Sequence, residues 1–481
     1  MIRMSARDVA KATQAALLVE GTRPLAGEAE IDSRRVDKDS LFVAFAGEKV
    51  DGNSYVDAAL DAGAAIVCVS AEPAAATLDH ARAMGASVLR AVDDDCEEFL
   101  LCLAGEWRRL HPSWTVVAVT GSVGKTTTKD MLKTGIATAK RVHATSGNHN
   151  NLIGLPMTVL SAPEDTEVLV CECGMNHKGE ISRLTRCCRP ALAVITNVGT
   201  SHIGFLGSRE NIARAKAEIV EGMEAHGSIQ PTLILGSAGD FTSFISEQFA
   251  RPAGVSTVCV GTRAEDVLRA EDISVNEESL PTATFVACDG WKKTVTLSVP
   301  GRAVVDDALM ALETITLLGL DRDAALDAIA SMPAVSMRLS VLTAANGARI
   351  IDDSYNASPN SVAAALDVLC HMPAKGRRIA ILGEIGELGA DEKRLHAYVG
   401  AYVAAKPIDM AVFVGTGPAR EMAEAARVMG LSEDAIETFD TVEDLSKIFA
   451  PVVEAGDVVL VKASRSAGLD AFVKGVVAND R

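Results

Sequence analysis

The feature that most limits the possible folds of this chain is a predicted strand that is followed by a glycine-rich loop and a helix. Residues 116–128 read Val-Val-Ala-Val-Thr-Gly-Ser-Val-Gly-Lys-Thr-Thr-Thr, and the apolar run at 116–119 predicts a buried β-strand. The two glycines allow a tight loop whose backbone N–H groups converge on an anion, while the lysine adds positive charge and the next hydroxyl suits Mg²⁺. The pattern predicts binding of ATP or GTP phosphates by Gly121, Ser122, Val123, Gly124, Lys125, Thr126 and Thr127.

The spacing of this loop is a variant of the common phosphate-binding pattern. Gly121 stands three residues before Gly124, which is closer than in GxxxxGK[ST]. The alternative interpretation is an ordinary glycine-rich turn ahead of a helix.

Length and charge limit the class of protein. A chain of 481 residues is too long for one core and suggests about three domains. The net charge of −18 argues against nucleic-acid binding through bulk electrostatics, so no nucleic-acid partner is expected. An anionic substrate needs only a local basic pocket and is not excluded.

The cysteines and the N-terminus indicate a cytoplasmic protein. Ten scattered cysteines, several within apolar segments such as 67–69 and 101–103, are expected to be reduced core thiols. A metal site at Cys171, Cys173, Cys187 and Cys188 is the weaker alternative, since their spacing is not that of zinc ligands. No apolar run approaches the ~18 residues of a membrane span, and the charged N-terminus predicts an amphipathic helix, not a signal peptide.

Alternating strand-like and helix-like segments predict an α/β fold with three units. Pro112 marks a boundary just ahead of the phosphate-loop strand, so the predicted domains are 1–113, 114–335 and 336–481. Strands at 168–171 and 191–196 place the central unit on a mostly parallel sheet, closed by a helix at 306–318. Strands at 348–351, 378–382, 410–414 and 458–461 predict an open parallel sheet in the last unit.

Polar residues at predicted strand ends are candidates for a metal site. Ligands gather at the carboxyl ends of parallel strands, where Glu172 and, shortly after the next strand, His202 stand. Alone, each is best explained as an exposed carboxylate or a loop histidine. Beside Thr126 they predict a site for a hard cation. Lys216 lies in a predicted helix, where a lysine normally faces solvent, and the residues alone assign it no function.

Two further polar loops are candidates for ligand recognition. The segment 145–156 is rich in asparagine and suits a sugar or a nucleotide, with a cluster of turns as the alternative. The segment 350–361 runs from a strand into a loop and a helix. Carboxylates at such an edge commonly accept hydrogen bonds from ribose hydroxyls.

Taken in order, these motifs resemble those of the Mur ligases. The resemblance rests on residues 120–126, 147–156, 172–181, 215–218, 352–361, 383–389 and 461–465, and on 32–34 with 41–44 near the N-terminus. The combination is similar to the branch that adds D-alanyl-D-alanine to UDP-N-acetylmuramoyl-tripeptide. It implies an ATP-dependent ligase of peptidoglycan synthesis that forms a carbon–nitrogen bond through an acyl phosphate. It also implies an N-terminal UDP-sugar domain, a central ATPase domain and a C-terminal Rossmann-like domain, and we expect a monomer.

The resemblance also implies roles for individual residues. Thr126 and Glu172 would hold one Mg²⁺ ion, His202 a second, and Lys216 would be carbamoylated and help hold metal. Asp353 would bind ribose, and Arg338 would reach the phosphates from the third domain. The implied catalytic residues are Lys125, Lys216, His202 and Arg338. The implied contacts to UDP-sugar-peptide and dipeptide are Ser33, Arg34, Asn148, Asn150, Asn151, Tyr355, Asn356 and Lys462.

One segment departs from the family pattern. After Arg302 these ligases usually carry a His-Asn pair and a second Asn, where this chain has Ala303, Val304 and Asp307. We therefore expect Asp307 to lie at the ATP site and to alter nucleotide affinity without abolishing activity. The alternatives are a sister ligase that adds a single amino acid and a non-catalytic binder with the same fold. Folylpolyglutamate synthetase would not explain the N-terminal unit.

Overall fold

The computed structural model describes residues 1–47 and 49–477, which form three β-sheets with helices packed on their faces. The sheets follow one another along the chain. Among the described residues, no helix is both long enough and apolar enough to cross a membrane. All ten cysteines are free thiols.

The first sheet has five strands in the order β1-β5-β4-β3-β2. Only β1 is antiparallel to its neighbour. The strands are β1 (Ala16–Val19), β2 (Ala29–Glu30), β3 (Leu41–Ala44), β4 (Ile66–Val69) and β5 (Ser87–Arg90). The helices are α1 (Ala6–Thr13), α2 (Val56–Ala62), α3 (Ala75–Met84) and α4 (Cys96–Leu110). The predicted N-terminal helix is confirmed as α1, which Ser5 caps by accepting a hydrogen bond from the backbone N–H of Asp8.

The second sheet has nine strands in the order β14-β13-β12-β11-β10-β9-β6-β8-β7. They are β6 (Thr115–Thr120), β7 (Val142–Ala144), β8 (Val168–Glu172), β9 (Leu192–Ile195), β10 (Thr232–Gly236), β11 (Ser256–Gly261), β12 (Leu268–Val275), β13 (Pro281–Ala287) and β14 (Lys292–Thr296). Its helices are α5 (Lys125–Ile136), α6 (Gly154–Ser161), α7 (Glu180–Cys188), α8 (Ile203–Leu206), α9 (Arg209–Ala217), α10 (Thr242–Ile245), α11 (Val304–Leu317) and α12 (Arg322–Ala330). The prediction of a mostly parallel sheet is confirmed, but it missed the antiparallel meander β12-β13-β14.

The third sheet has six strands in the order β15-β16-β20-β17-β18-β19. The strands are β15 (Ser340–Thr343), β16 (Arg349–Asp353), β17 (Arg378–Gly383), β18 (Met410–Val414), β19 (Ile436–Phe439) and β20 (Val458–Lys462). The helices are α13 (Pro359–His371), α14 (Glu392–Ala404), α15 (Pro418–Val428), α16 (Val442–Asp444) and α17 (Asp470–Val477). The expected open parallel sheet is present except at β15, which pairs antiparallel with β16.

One apolar core runs through all three sheets. Leu41 of β3, Val116 of β6 and Leu460 of β20 are fully buried members of the same cluster. The shared core brings the carboxyl ends of β6 and β8 opposite those of β16 and β20. Polar residues stand at those ends, because Glu172 completes β8 and Asp353 pairs in register with Lys462 at the ends of β16 and β20. A cleft between the second and third sheets follows from this packing.

Candidate functional site

The loop between β6 and α5 has the conformation that its glycines predicted. Gly121 and Gly124 have φ of +151° and +88°, in the region that glycine adopts readily. A Cβ atom on Gly121 would lie 1.8 Å from Thr196 Oγ1, so no larger residue fits there. The loop therefore presents its backbone N–H groups at the start of α5, where the helix dipole favours an anion.

Residues just after β9 hold this loop from behind. The Asn197 side chain accepts a hydrogen bond from Val123 N at 3.1 Å and donates one to Val123 O at 2.9 Å. Ser122 Oγ accepts a hydrogen bond from Gly199 N at 2.9 Å. Asn197 is not among the site residues predicted from the sequence. Its role as a clamp on the loop depends on β9 lying beside β6.

Lys125 is folded back onto its own loop. Its Nζ donates a hydrogen bond to Gly121 O at 2.9 Å. Burial in the cleft lowers the pKa of this lysine, and the positive charge of Arg338 adds to the effect. An arriving phosphate would offer the ammonium group an oxyanion in place of the carbonyl oxygen.

Thr126, Glu172 and Asn150 form one hydrogen-bonded group. Thr126 Oγ1 donates to Glu172 Oε2 at 2.9 Å, and Asn150 Nδ2 donates to Glu172 Oε1 at 2.8 Å. Glu172 is 1% exposed. Three elements that are distant in sequence are thus joined by one buried carboxylate next to the phosphate loop.

The oxygen atoms of this group suit Mg²⁺ that is shared with a nucleotide. Within residues 1–47 and 49–477, no three His, Cys, Asp or Glu side chains converge into a complete metal site. Mg²⁺ usually keeps several waters and is bound by one or two carboxylates plus substrate phosphates. A hydroxyl and a carboxylate beside a phosphate loop fit that requirement. The four cysteines of the alternative metal site are buried thiols.

His202 lies at the far side of the phosphate loop and contacts the third sheet's domain. Its Nδ1 is 2.6 Å from Glu387 Oε2. The histidine keeps the pKa of the Glu387 carboxyl below its usual range. Glu387 lies in the segment 383–389 that contributes to the family resemblance, but it is not among the predicted site residues.

Lys216 on α9 is buried, contrary to the solvent-facing position that a helical lysine predicts. It is 1% exposed, and no described residue gives its Nζ a hydrogen bond or an ion pair. Burial, with a contribution from Lys125, places the pKa of Lys216 well below its usual value. Such surroundings favour the neutral, nucleophilic form of a lysine over the charged form.

The third sheet contributes a buried ion pair to the cleft. Lys462 Nζ donates to Asp353 Oδ2 at 2.5 Å and to Asn356 O at 2.9 Å. Burial raises the pKa of Asp353, although the adjacent lysine opposes that change. Lys462 is 2% exposed. Its hydrogen bond to Asn356 O holds the loop that carries Asn356.

Arg338 stands on a constrained segment between the second and third sheets. Its guanidinium carbon lies 4.2 Å from the centre of the Tyr355 ring. Met337 and Leu339 on either side have φ of +62° and +51°, which is unusual for residues other than glycine. Leu339 N donates to Asp353 Oδ1 at 3.2 Å, which helps to hold this geometry.

Asp307 lies directly against the phosphate loop. Its Oδ1 accepts a hydrogen bond from Thr128 Oγ1 at 3.1 Å and would be 2.3 Å from a Cβ on Gly124. Burial raises the pKa of Asp307 well above its ordinary value, and Asp306 adds to that effect. An acidic group is thus placed beside the site where the anionic loop ligand is expected.

One cleft of about 940 Å³ gathers most of the predicted site residues. Those that line it are Ser122, Val123, Gly124, Lys125, Thr126, Thr127, Asn148, Asn150, Asn151, Glu172, His202, Asp307, Arg338, Asp353, Tyr355, Asn356 and Lys462. Gly121, Lys216, Ser33 and Arg34 are not among its lining residues. Arg34 is exposed and pairs with Asp32 at 2.6 Å, which lowers the pKa of Asp32 to about 2.

Comparison of the sequence with known proteins identifies the family of this chain. Residues 29–108 match the Mur ligase family catalytic domain, 119–315 the Mur ligase middle domain, and 337–465 the Mur ligase glutamate ligase domain. The chain is 34% identical over 446 residues to the UDP-N-acetylmuramoyl-tripeptide–D-alanyl-D-alanine ligase of Bacillus subtilis (strain 168), covering 93% of this chain and 92% of that protein. The chain belongs to the Mur ligase family.

Solved Mur ligase structures have the same architecture over the whole chain. The crystal structure of MurF from Acinetobacter baumannii superposes with a TM-score of 0.86 at 26% identity, and each chain is covered in full. MurF from Thermotoga maritima in complex with ADP gives a TM-score of 0.78 at 27% identity, covering 94% of this chain and 98% of that one. The three-unit α/β fold expected from the sequence is therefore confirmed, and this Mur ligase family member is a ligase.

Proposed function

We propose that this chain joins D-alanyl-D-alanine to UDP-N-acetylmuramoyl-tripeptide with the hydrolysis of ATP to ADP and phosphate. The supporting observation is similarity across nearly the whole chain to a ligase of that name, combined with a cleft that places a phosphate loop opposite the Asp353–Lys462 pair. The product would be the UDP-linked pentapeptide precursor of peptidoglycan.

The proposed division of labour follows the three sheets. Residues 1–113 would bind the UDP portion through Ser33 and Arg34. Residues 114–335 would bind ATP, and residues 336–481 would close over it as the Rossmann-like domain. Asn148, Asn150 and Asn151 would contact the sugar-peptide. Tyr355, Asn356 and Lys462 would shape the entry of the dipeptide, and the enzyme would act as a monomer.

The nucleotide would bind across the cleft. The N–H groups of residues 121–127 and the Lys125 ammonium would hold its phosphates, Asp353 its ribose, and Asp307 would lie close by. Thr126 and Glu172 would hold one Mg²⁺ ion and His202 a second, and bound Mg²⁺ would neutralise charge on the transferring phosphoryl group. Arg338 would reach the phosphates from the third domain.

Lys216 is proposed to carry a carbamate. The lone pair of its neutral amine attacks CO₂, a proton leaves, and the side chain becomes an anion that suits the neighbouring cations. The support is a buried amine without a partner among the described residues. The test is the carbonyl NMR signal of protein equilibrated with ¹³C-bicarbonate. A signal present in the wild-type protein and absent in Lys216→Arg supports the carbamate, and identical spectra refute it.

The proposed reaction proceeds in two transfers. A terminal carboxylate oxygen of the tripeptide attacks the γ-phosphorus, the bond to ADP breaks, and an acyl phosphate forms. The neutral amine of D-alanyl-D-alanine then attacks the acyl carbon, phosphate leaves, and the nitrogen loses a proton. Lys125 and Arg338 would stabilise the negative charge on the phosphoryl oxygens. Closure of the third domain would keep water from the acyl phosphate.

The decisive experiment measures phosphate release from ATP in the presence of Mg²⁺ and UDP-N-acetylmuramoyl-tripeptide, with and without the dipeptide. Dipeptide-dependent release and a pentapeptide product in the mass spectrum are the expected result, and Lys125→Ala should abolish both. Turnover with a single amino acid instead would reassign the chain to a sister ligase. No turnover with any acceptor, while substrate binding persists, would identify a non-catalytic binder.

A further inference from the structure

The segment 383–389, Gly-Glu-Ile-Gly-Glu-Leu-Gly, begins at the last residue of β17 and has no role in the reaction described above. It lies against the start of α8 in the central domain. Gly204 N donates a hydrogen bond to Glu387 O at 2.9 Å, and His202 Nδ1 lies 2.6 Å from Glu387 Oε2. Glu387 therefore contacts the central domain through both its backbone and its side chain.

Two glycines make this contact unusually close. A Cβ on Gly204 would lie 2.6 Å from Gly389 N, and a Cβ on Gly389 would lie 2.6 Å from Gly204 Cα. No side chain separates the two backbones at this point. The approach is a specific packing of two loops and not a loose surface contact.

The backbone on both sides of the contact is strained. His202 and Glu387 each have a φ of +64°, a conformation that non-glycine residues adopt only when their surroundings demand it. The demand comes in part from apolar packing, since Ile203 and Leu388 are 9% and 2% exposed within the shared core. Such strain is typical of functional positions.

The same central-domain loop also reaches the phosphate loop. Ser201 Oγ donates to Ser122 O at 3.3 Å, and Gly199 N donates to Ser122 Oγ at 2.9 Å. Residues 199–204 thus contact the phosphate loop at one end and Glu387 of the third domain at the other. This loop is a short physical connection between the nucleotide site and the closing domain.

We propose that Glu387 is a positioning residue that latches the third domain onto the 199–204 loop and orients His202 only when the domains are closed. The proposal rests on the ligase function proposed above. Arg338 and Asp353 also line the cleft. The latch makes completion of the phosphate site depend on closure, so that the acyl phosphate forms where water is excluded.

Three variants and a matched control test the latch. Glu387→Ala removes the side-chain contact, and Glu387→Gln keeps its shape and a hydrogen-bonding oxygen. Gly204→Ala separates the two backbones without altering any charge. The control is Glu424→Ala, which removes a surface carboxylate that pairs with Arg427 at 2.6 Å inside the third domain.

The first readout is hydrogen exchange, which does not depend on catalysis. The backbone amide of residue 204 should exchange at least about tenfold faster in Glu387→Ala and Gly204→Ala than in the wild-type protein, because the two loops separate more often and its hydrogen bond to Glu387 O then opens. The exchange rate in Glu387→Gln should lie between those of Glu387→Ala and the wild type. The rate in Glu424→Ala should match that of the wild type. Unchanged exchange in both test variants would overturn the latch, whatever reaction the enzyme catalyses.

The second readout separates positioning from folding. The nucleotide dissociation constant should change by less than about threefold, since the phosphate loop is intact, while kcat falls about tenfold or more. More ATP should be hydrolysed per amide bond made. A lower melting temperature with unchanged kcat per folded molecule would show a purely structural contact. Absence of ligation by the wild-type protein would refute the proposed function but leave the exchange result decisive for the latch.

Discussion

Glu313 on α11 offers a quantitative test of how burial controls ionisation in this fold. The residue is 7% exposed, and no described group donates a hydrogen bond to its carboxylate. The positive charge of Arg322 opposes the rise in pKa, but its guanidinium group donates hydrogen bonds to Asp289 at 2.6 Å and to Thr316 at 3.0 Å. Burial raises the pKa of Glu313 to about 7.

The consequence for stability follows from the difference between the folded and unfolded pKa. In the unfolded chain Glu313 titrates near its ordinary pKa of 4.5. Between that value and about 7 the folded protein binds the extra proton, so stability falls as the pH rises. At about 1.4 kcal/mol per pKa unit, the full loss is at most about 3.5 kcal/mol. The loss is absent below the lower value and complete above the upper one.

Glu313→Gln replaces the carboxyl with a neutral group of the same shape. We expect this variant to be more stable than the wild type by up to about 3.5 kcal/mol at pH 8, and to match it near pH 4.5. The assay is urea unfolding followed by circular dichroism at both pH values, comparing midpoints at equal slope. Glu277→Gln, an exposed change of the same kind in the same unit, is the control.

Two results would refute the reasoning. A stability gain that is equal at both pH values would show that glutamine packs better and that ionisation is irrelevant. No gain at pH 8 would show that the carboxylate is solvated when it ionises. In either case the raised pKa of Glu313 would not describe its state in the folded protein.

Three further substitutions test the nucleotide site and a surface contact. Asp307→Asn should lower the KM for ATP by up to about a hundredfold at high pH and little at low pH in steady-state assays, because burial raises the pKa of Asp307 and only its ionised form repels the phosphates. At an assumed separation of about 6 Å and an effective dielectric constant of about 20, that repulsion costs at most about 3 kcal/mol. Gly121→Ala should weaken ATP binding at least about tenfold by calorimetry, whereas Gly290→Ala, with open space around it, should not. Arg183→Ala should change the free energy of unfolding by less than about 1 kcal/mol in urea, since its contacts with Glu97 and Glu98 are at the surface.

The parts of the site that were predictable are local in sequence. The strand–loop–helix at 116–128 follows from an apolar run, two glycines and a helix start, all within one segment. The meander β12-β13-β14 was missed although β13 alternates between buried and partly buried residues. These three strands are connected without helices, whereas the predicted fold was based on strands that alternate with helices.

Lys216 and Glu387 show where sequence reasoning stops. Helical spacing assigns Lys216 to solvent, and only the packing of α9 against its neighbours buries its amine. Glu387 meets His202 across 185 positions of sequence, at a contact between two domains. No periodicity or local motif encodes a pairing of that range, because it depends on how separate sheets dock.

The sequence by itself determined the elements and the kinds of side chain at their ends. Glycine adopts the positive φ of Gly121 and Gly124 without the steric cost that a Cβ would bring, and apolar runs predict buried strands. Both features can therefore be predicted from a few adjacent residues. The tertiary structure alone decided which of those ends meet. It set Glu172 beside Thr126, Asp353 beside Lys462 and Glu387 beside His202. The order of strands in a sheet and the docking of domains depend on the packing of the whole chain, so no short segment of sequence specifies them.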